Sequence, residues 1–247
     1  MVHGIVRAWN PDEIVLLGDL LDCDAWSAHP RSTFAEGHVD FLRDEIAPAN
    51  SLLDRLQGRG HRPLTLLEGN HEWRVERYLV RNAGKLGPTM FKVMNPEQLL
   101  RLRVDANGKP RRPRENMQWV PYVGRGVHSH HKITPNLVAV HGWSFAKAAA
   151  QVHLDAVQGY ASIVFGHVHR QMSLTTRHPF TDELFQAWSP GCLCEFVPTY
   201  KANDPAGWAH GVTQVYVSER NPRDWTKYDV EIRGGRAILD SGREIRV

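Results

Sequence analysis

Four apolar runs, each closed by a residue that can do chemistry, set the element pattern of this chain. "IVLLGD", "PLTLLEGN", "NLVAVHG" and "SIVFGHVH" are nearly unbroken apolar stretches ending at glycine. Such runs predict strands buried on both faces. Between them the period changes. Val2, Ile5, Val6 and Trp9 fall at helical spacing until "NPDE" breaks it. Val39, Leu42, Ile46, Ala49, Leu53 and Leu56 step by three and four, which predicts an amphipathic helix kinked at Pro48 and closed by "GRG" at 58–60. "EWRVERYLVRN" and "SFAKAAAQVHLDAVQG" predict two further helices, the second with Gly159 as its C-cap. "LFQAWSPG" and "GVTQVYVS" read as later strands, and "KYDVEIRGGRAILDSGREIRV" as a hairpin turned at Gly234-Gly235. No repeat, low-complexity tract or sharp linker divides the chain. One domain over 1–247 is expected, with a motif-bearing core at about 11–218 and a hairpin tail at about 226–247.

Bulk composition narrows the classes. A length of 247 residues, 42% hydrophobic and 23% charged, is that of an ordinary globular protein. A net charge of +3 is too small to argue for nucleic acid or an anionic membrane, though it permits a phosphate-bearing substrate. The basic positions Arg101, Arg103, Lys109, Arg111, Arg112 and Arg114 read as a solvated excursion over 101–118. Three cysteines, an odd number, argue for a reducing compartment. Cys192 and Cys194 lack the usual zinc-pair spacing and read as core or near-core thiols. No apolar run reaches the ~18 residues of a membrane span, and Met1 opens no signal segment. A cytoplasmic protein without a membrane partner is expected.

The ends of the four runs carry the candidate chemistry. "GDLLD" offers Asp19 and Asp22, "GNHE" offers Asn70 and His71, "HG" offers His141, and "GHVH" offers His167 and His169. In open α/β sheets, ligands bind beyond the carboxyl ends of the strands. Residues two apart in an extended segment share a face, so His167 and His169 would look at a common point, with Gly166 letting the backbone approach it. Taken singly, each has a plainer explanation as turn chemistry or a hydrogen-bonded bystander. Four strand ends with Asp, Asn or His predict one shared site built from oxygen and nitrogen ligands.

In this order the motifs resemble the calcineurin-like metallophosphoesterases, from about Pro11 to about Ser218. The resemblance implies an α/β fold, a four-layer αββα sandwich of two mixed sheets flanked by helices. It also implies two divalent transition-metal ions (Mn, Fe, Zn or Ni), in keeping with nitrogen and hard oxygen ligands without thiolate. By resemblance Asp19 bridges the ions, Asn70, His141 and His167 complete one of them, and His169 belongs to the other. His71 stabilises charge on the substrate or protonates the leaving oxygen. Asp22 orients a ligand or a histidine N–H from behind, or caps a turn. Glu72 and Arg74 read as a helix-start acid and a surface base. The implied reaction is hydrolysis of a phosphomonoester or phosphodiester by a metal-activated water. The substrate is a phosphate ester of a small molecule, nucleotide or nucleic acid, and the His167–His169 pair favours diesters.

The family's opening strand and its Asp-x-His motif are missing from this sequence, which begins inside what reads as the following helix. The expectation is that the first strand is absent, that the coding start lies upstream, and that one metal site is weak. His3, Asp24, His29 and His38 are not expected to substitute. Two other readings compete: a non-catalytic or mono-metal variant acting as a binding protein, and a nuclease-type phosphodiesterase using the 101–114 segment.

Overall fold

Strand pairing begins with the two runs that end in Asp19 and Asn70. A computed structural model of the protein describes residues 1–26, 40–58, 61–122, 129–157, 159–196 and 207–246. Of the positions singled out above, His29, His38, Val39, Arg59 and Gly60 lie outside the described residues. The chain divides into two compact units, Asp12–Val127 and Met1–Pro11 with His128–Val247.

In Asp12–Val127, β1 (Ile14–Leu16), β2 (Leu64–Leu67) and β3 (Met117–Val120) form a parallel sheet in that order. Parallel neighbours need long crossovers. The first is a π-helical turn, Phe41–Ile46, running into α2 (Ala47–Gln57). The second comprises α3 (Trp73–Arg81), α4 (Ala83–Leu86), α5 (Pro88–Val93) and α6 (Pro96–Arg101). Leu64, Leu66 and Met117 of the sheet share a core with Ile46, Leu53, Val75 and Leu100 of the helices.

Two expectations fail in this unit. The single helix kinked at Pro48 is a π turn followed by an α-helix with Pro48 in its first turn. Proline has no N–H to give, and first-turn donors go unused, so the change of hydrogen-bond register falls before it. The basic excursion is not all solvated. Arg114 is 5% exposed, ion-pairs with Asp54 at 2.6 Å and donates to Oε1 of Gln57 and to O and Oδ1 of Asn50. Arg103 also pairs with Asp54, and Arg101 donates to the Met117 carbonyl. Arg103 and Arg114 tie the segment between α6 and β3 to α2, and Arg101 ties α6 to β3, roles that a charge run does not announce.

The other unit carries two sheets. β4 (His131–Thr134), β5 (Leu137–Val140), β6 (Ser162–Phe165), β7 (Gln171–Arg177) and β8 (Leu184–Pro190) pair in the order β4-β5-β6-β8-β7. β5, β6 and β8 run parallel in the middle, and β4 and β7 are antiparallel edges. α7 (Ala149–Ala156) lays Ala149, Ala150 and Leu154 on Ile163, Phe165 and Ala187. The second sheet is antiparallel, in the order β12-β11-β10-β9, from β9 (His210–Val217), β10 (Trp225–Arg233), β11 (Arg236–Ile238) and β12 (Glu244–Arg246). α1 (Val2–Trp9) buries Ile5 against Val230, Ala237 and Leu239.

The mixed α/β class is the one the sequence predicted. The tail hairpin turns at Gly234 and Gly235, with φ of 54° and 73°. The helix expected from Ser144 begins only at Ala149. Ahead of it, Ser144 Oγ accepts the Ala146 N–H at 3.3 Å, and Arg170 donates to the Phe145 and Ala146 carbonyls. Those bonds hold the segment out of the helix. The helix ends at Ala156 with Val157 as its C-cap, so Gly159, whose φ is 75°, lies beyond the cap expected of it. Among the described residues no helix is long and apolar enough to cross a membrane.

Candidate functional site

In Asp12–Val127, parallel pairing sets Ile14 beside Leu64 and Leu16 beside Leu66, so the Gly18-Asp19 and Gly69-Asn70-His71 loops leave neighbouring strand ends. Asp19 has φ 54°, and its Oδ1 accepts the His71 N–H at 3.0 Å. Asn70, half-buried, follows directly on Gly69. The His71 ring lies between two carboxylates, Nε2 3.9 Å from Asp19 Oδ2 and Nδ1 3.7 Å from Asp22 Oδ1. Burial opposes a charged imidazole there, but Asp22 and Asp19 outweigh it, and the His71 pKa is raised. Asp22 itself is 72% exposed, so it reaches His71 from the solvent side.

Glu72 is the residue here that sequence reasoning undervalued. It does start a helix, as N-cap of α3, but its carboxylate turns inward and is 2% exposed. Oε2 accepts the N–H groups of Asp19 (3.1 Å) and Gly69 (2.9 Å), and Oε1 accepts that of Leu21 (2.9 Å). One side chain thus ties both loops. Burial and then the charge of Asp19 push its pKa up, against the pull of the backbone donors. Arg74 is not a free surface base, since it donates to the Asp22 carbonyl and to Asp24 Oδ1 at 2.9 and 3.0 Å.

In the other unit, β5 and β6 pair Leu137 with Ser162 and Val140 with Phe165, so His141 and His167 follow adjacent strand ends. His141 Nε2 and His167 Nδ1 are 3.1 Å apart. The Gly166 N–H donates to the His141 carbonyl at 2.9 Å, locking the two loops together. Gly142 runs with φ 103°, and an added Cβ would lie 3.2 Å from His153 Nε2 and 3.3 Å from His167 Cβ. His153, fully buried in α7, is a second residue that sequence reasoning passed over. Its Nδ1 meets the Ala149 carbonyl at 2.7 Å, its Nε2 accepts the Trp143 N–H at 3.2 Å, and its ring stacks on Phe165. It buttresses the loop that carries His141. A histidine inside an alanine-rich helix was the available signal.

His167 and His169 do not share a face by strand alternation. The strand stops at Phe165, and both histidines take left-handed backbone, φ 69° and 59°. His167 turns to His141, whereas His169 gathers with Cys192 and Cys194. Of that cysteine pair, Cys194 is exposed and Cys192 half-buried, so the expectation of core thiols fails for Cys194.

A sequence profile of the calcineurin-like phosphoesterases matches residues 1–216 of the chain. The chain is a calcineurin-like phosphoesterase. It is similar to the gene 54 protein of Mycobacterium phage L5, with 25% identity over 178 residues that cover 69% of this chain and 62% of the phage protein. The match therefore takes in less than two thirds of the phage protein's length. No solved structure matches the chain. The calcineurin-like phosphoesterases are divalent-metal hydrolases of phosphoesters, and the residues of this member fit such an ion. Two imidazole nitrogens on one tetrahedral ion, with bonds of about 2.1 Å, stand roughly 3.4 Å apart. The His141–His167 separation of 3.1 Å is close to that.

Proposed function

We propose that this calcineurin-like phosphoesterase hydrolyses a phosphomonoester or phosphodiester with two divalent transition-metal ions, drawn from Mn, Fe, Zn and Ni. The ligands assigned by the family pattern are Asp19, Asn70, His141, His167 and His169. Asp19, with two carboxylate oxygens, would hold both ions, Asn70, His141 and His167 would complete one, and His169 would belong to the other. When bound, the ions activate a water and neutralise phosphoryl charge.

The protein's own groups do the rest. His71, whose pKa Asp22 and Asp19 raise against the pull of burial, is placed to give a proton to the oxygen that leaves. Asp22, 3.7 Å from Nδ1, favours the charged imidazole and orients it. Glu72 fixes the Asp19 and Gly69 loops through their N–H groups, so that a carboxylate and a carboxamide are presented without rearrangement. The neutral amide of Asn70 adds no negative charge to the ligand set.

The observation that carries this reading is the His141–His167 nitrogen pair at 3.1 Å, in a chain whose family match covers both residues. The phosphate ester is the one partner proposed, in a cytoplasmic setting. Less supports the nuclease-type alternative, because Arg101, Arg103 and Arg114 are engaged within their own unit. The test is turnover of an aryl phosphodiester and an aryl phosphomonoester, each with added Mn²⁺ and with a chelator. Metal-dependent turnover of either is expected. Identical rates with Mn²⁺ and chelator would defeat the reading.

A further inference from the structure

His169, Cys192 and Cys194 meet within the unit of Met1–Pro11 and His128–Val247. One ring nitrogen of His169 and the two Sγ atoms all lie within 4.8 Å of one another. A single stretch of chain, Ala209–Gly211, holds all three. The Ala209 N–H donates to the His169 carbonyl at 3.0 Å, and the Cys192 N–H donates to the Ala209 carbonyl at 2.8 Å. The Gly211 N–H donates to the Cys192 carbonyl at 3.3 Å, and the His210 Nε2 sits 2.6 Å from the Cys194 carbonyl. Gly191 permits this close passage: its φ is 100°, and a Cβ there would lie 2.1 Å from the Ala209 oxygen. His169 and Cys192 are therefore set by main-chain bonds to a common neighbour, and Cys194 is tied to the same stretch through the His210 ring.

Cys192 and Cys194 are free thiols, one half-buried and one exposed, so an ion can enter from solvent. Sulfur ligands of a tetrahedral zinc ion sit at about 2.3 Å and nitrogen at about 2.0–2.1 Å. Ligand atoms on such an ion are roughly 3.4–3.8 Å apart, so small rotations at χ1 would bring this trio onto one ion. Two S–H bonds would break, their protons would pass to solvent, and two metal–sulfur bonds would form. Two thiolates and a neutral imidazole leave a divalent site with no net charge and a fourth position for water.

We propose that His169, Cys192 and Cys194 form a thiolate–imidazole site for a borderline-soft divalent cation, Zn²⁺ above all. This assignment stands on the geometry of one unit and does not depend on phosphoester hydrolysis. Joined to the reading above, it makes the ion on His169 a thiolate-bound one and not an oxygen- and nitrogen-bound one.

Co²⁺ is the probe, because thiolate ligation gives it a near-ultraviolet charge-transfer band and tetrahedral geometry gives it intense visible absorption. The full chain, with thiols kept reduced by a phosphine, is titrated with Co²⁺ alone and then with Zn²⁺. A charge-transfer band that Zn²⁺ abolishes is expected in the wild type and in Cys23→Ala. Its loss is expected in the double variant Cys192→Ser, Cys194→Ser, and a shifted, weaker band in His169→Ala. Circular dichroism confirms that each variant is folded. No band in the folded wild type, or a band that survives the double cysteine variant, overturns the proposal. Aryl phosphodiester turnover is read separately. A band without turnover would sink the catalytic reading and leave this one standing, and turnover without a band would do the reverse.

Discussion

A Cβ on Gly69 would lie 2.0 Å from Oδ1 of Asp19 and 2.4 Å from its backbone nitrogen. The glycine is there because the loop holding Asn70 and the loop holding Asp19 touch main chain to side chain. Gly69→Ala must push Asp19 aside or spread the loops. We expect a loss of about 1–3 kcal/mol in stability and weakened Mn²⁺ binding. Urea unfolding and Mn²⁺ titration of the variant check this. Wild-type values in both would mean that the close approach has no consequence.

Glu72 carries three backbone N–H groups on two oxygens in a buried setting. Removing the acceptor strands those donors, so Glu72→Ala is expected to cost roughly 2–5 kcal/mol. Glu72→Gln keeps one acceptor oxygen and should cost less, about 1–2 kcal/mol. Denaturation midpoints give the ranking. A Gln variant as damaged as the Ala variant would point to the charge, and not to the acceptor count.

Arg114 and Arg112 belong to one basic run but live in different surroundings. Arg112 pairs with Glu115 on the surface, while Arg114 is buried against Asp54, Asn50 and Gln57. Truncating Arg114 leaves Asp54 with Arg103 as its remaining guanidinium partner but strands the acceptors of Asn50 and Gln57, so Arg114→Ala should lose about 2–4 kcal/mol. Arg112→Ala should stay within about 0.5 kcal/mol of wild type. Equal stabilities would refute the internal role of Arg114.

Burial pushes the carboxyl pKa of Glu45 up to about 7, while its Oε2 accepts the Cys23 N–H at 2.7 Å. A folded pKa above the unfolded value means that the native chain binds the extra proton. This contribution is therefore full below about pH 4.5 and is lost as pH rises to about 7. Its ceiling is about 3 kcal/mol, and partial exposure lowers it. Urea unfolding in chelator from pH 5 to pH 8 should show a flatter profile for Glu45→Gln, with the variant about 1–2 kcal/mol more stable than wild type at pH 8. Parallel profiles would rule Glu45 out as the titrating group.

Apolar runs made the strand ends legible. β1, β2, β5 and β6 lie where the hydrophobic pattern put them, and Asp19, Asn70, His141 and His167 follow each in turn. The short or amphipathic strands escaped: β3 follows the basic run, and β7 alternates Met172 and Leu174 with polar residues on a sheet edge. Long-range backbone bonds were also invisible in the sequence. Glu72 meets the N–H of Asp19 across 53 positions, and no periodicity records that. The trio of His169, Cys192 and Cys194 depends on bonds to Ala209 and His210, and a spacing rule for cysteine pairs does not see a histidine brought in from another loop.

The central claim is that Asp19 and His141 hold catalytic metal. The most direct measurement is Mn²⁺-dependent turnover of an aryl phosphodiester by the wild type beside Asp19→Ala and His141→Ala, each shown folded. We predict a loss of at least about a hundredfold in both variants, in line with the several kcal/mol of transition-state charge that bound metal stabilises. Turnover equal to wild type in either variant would contradict the account.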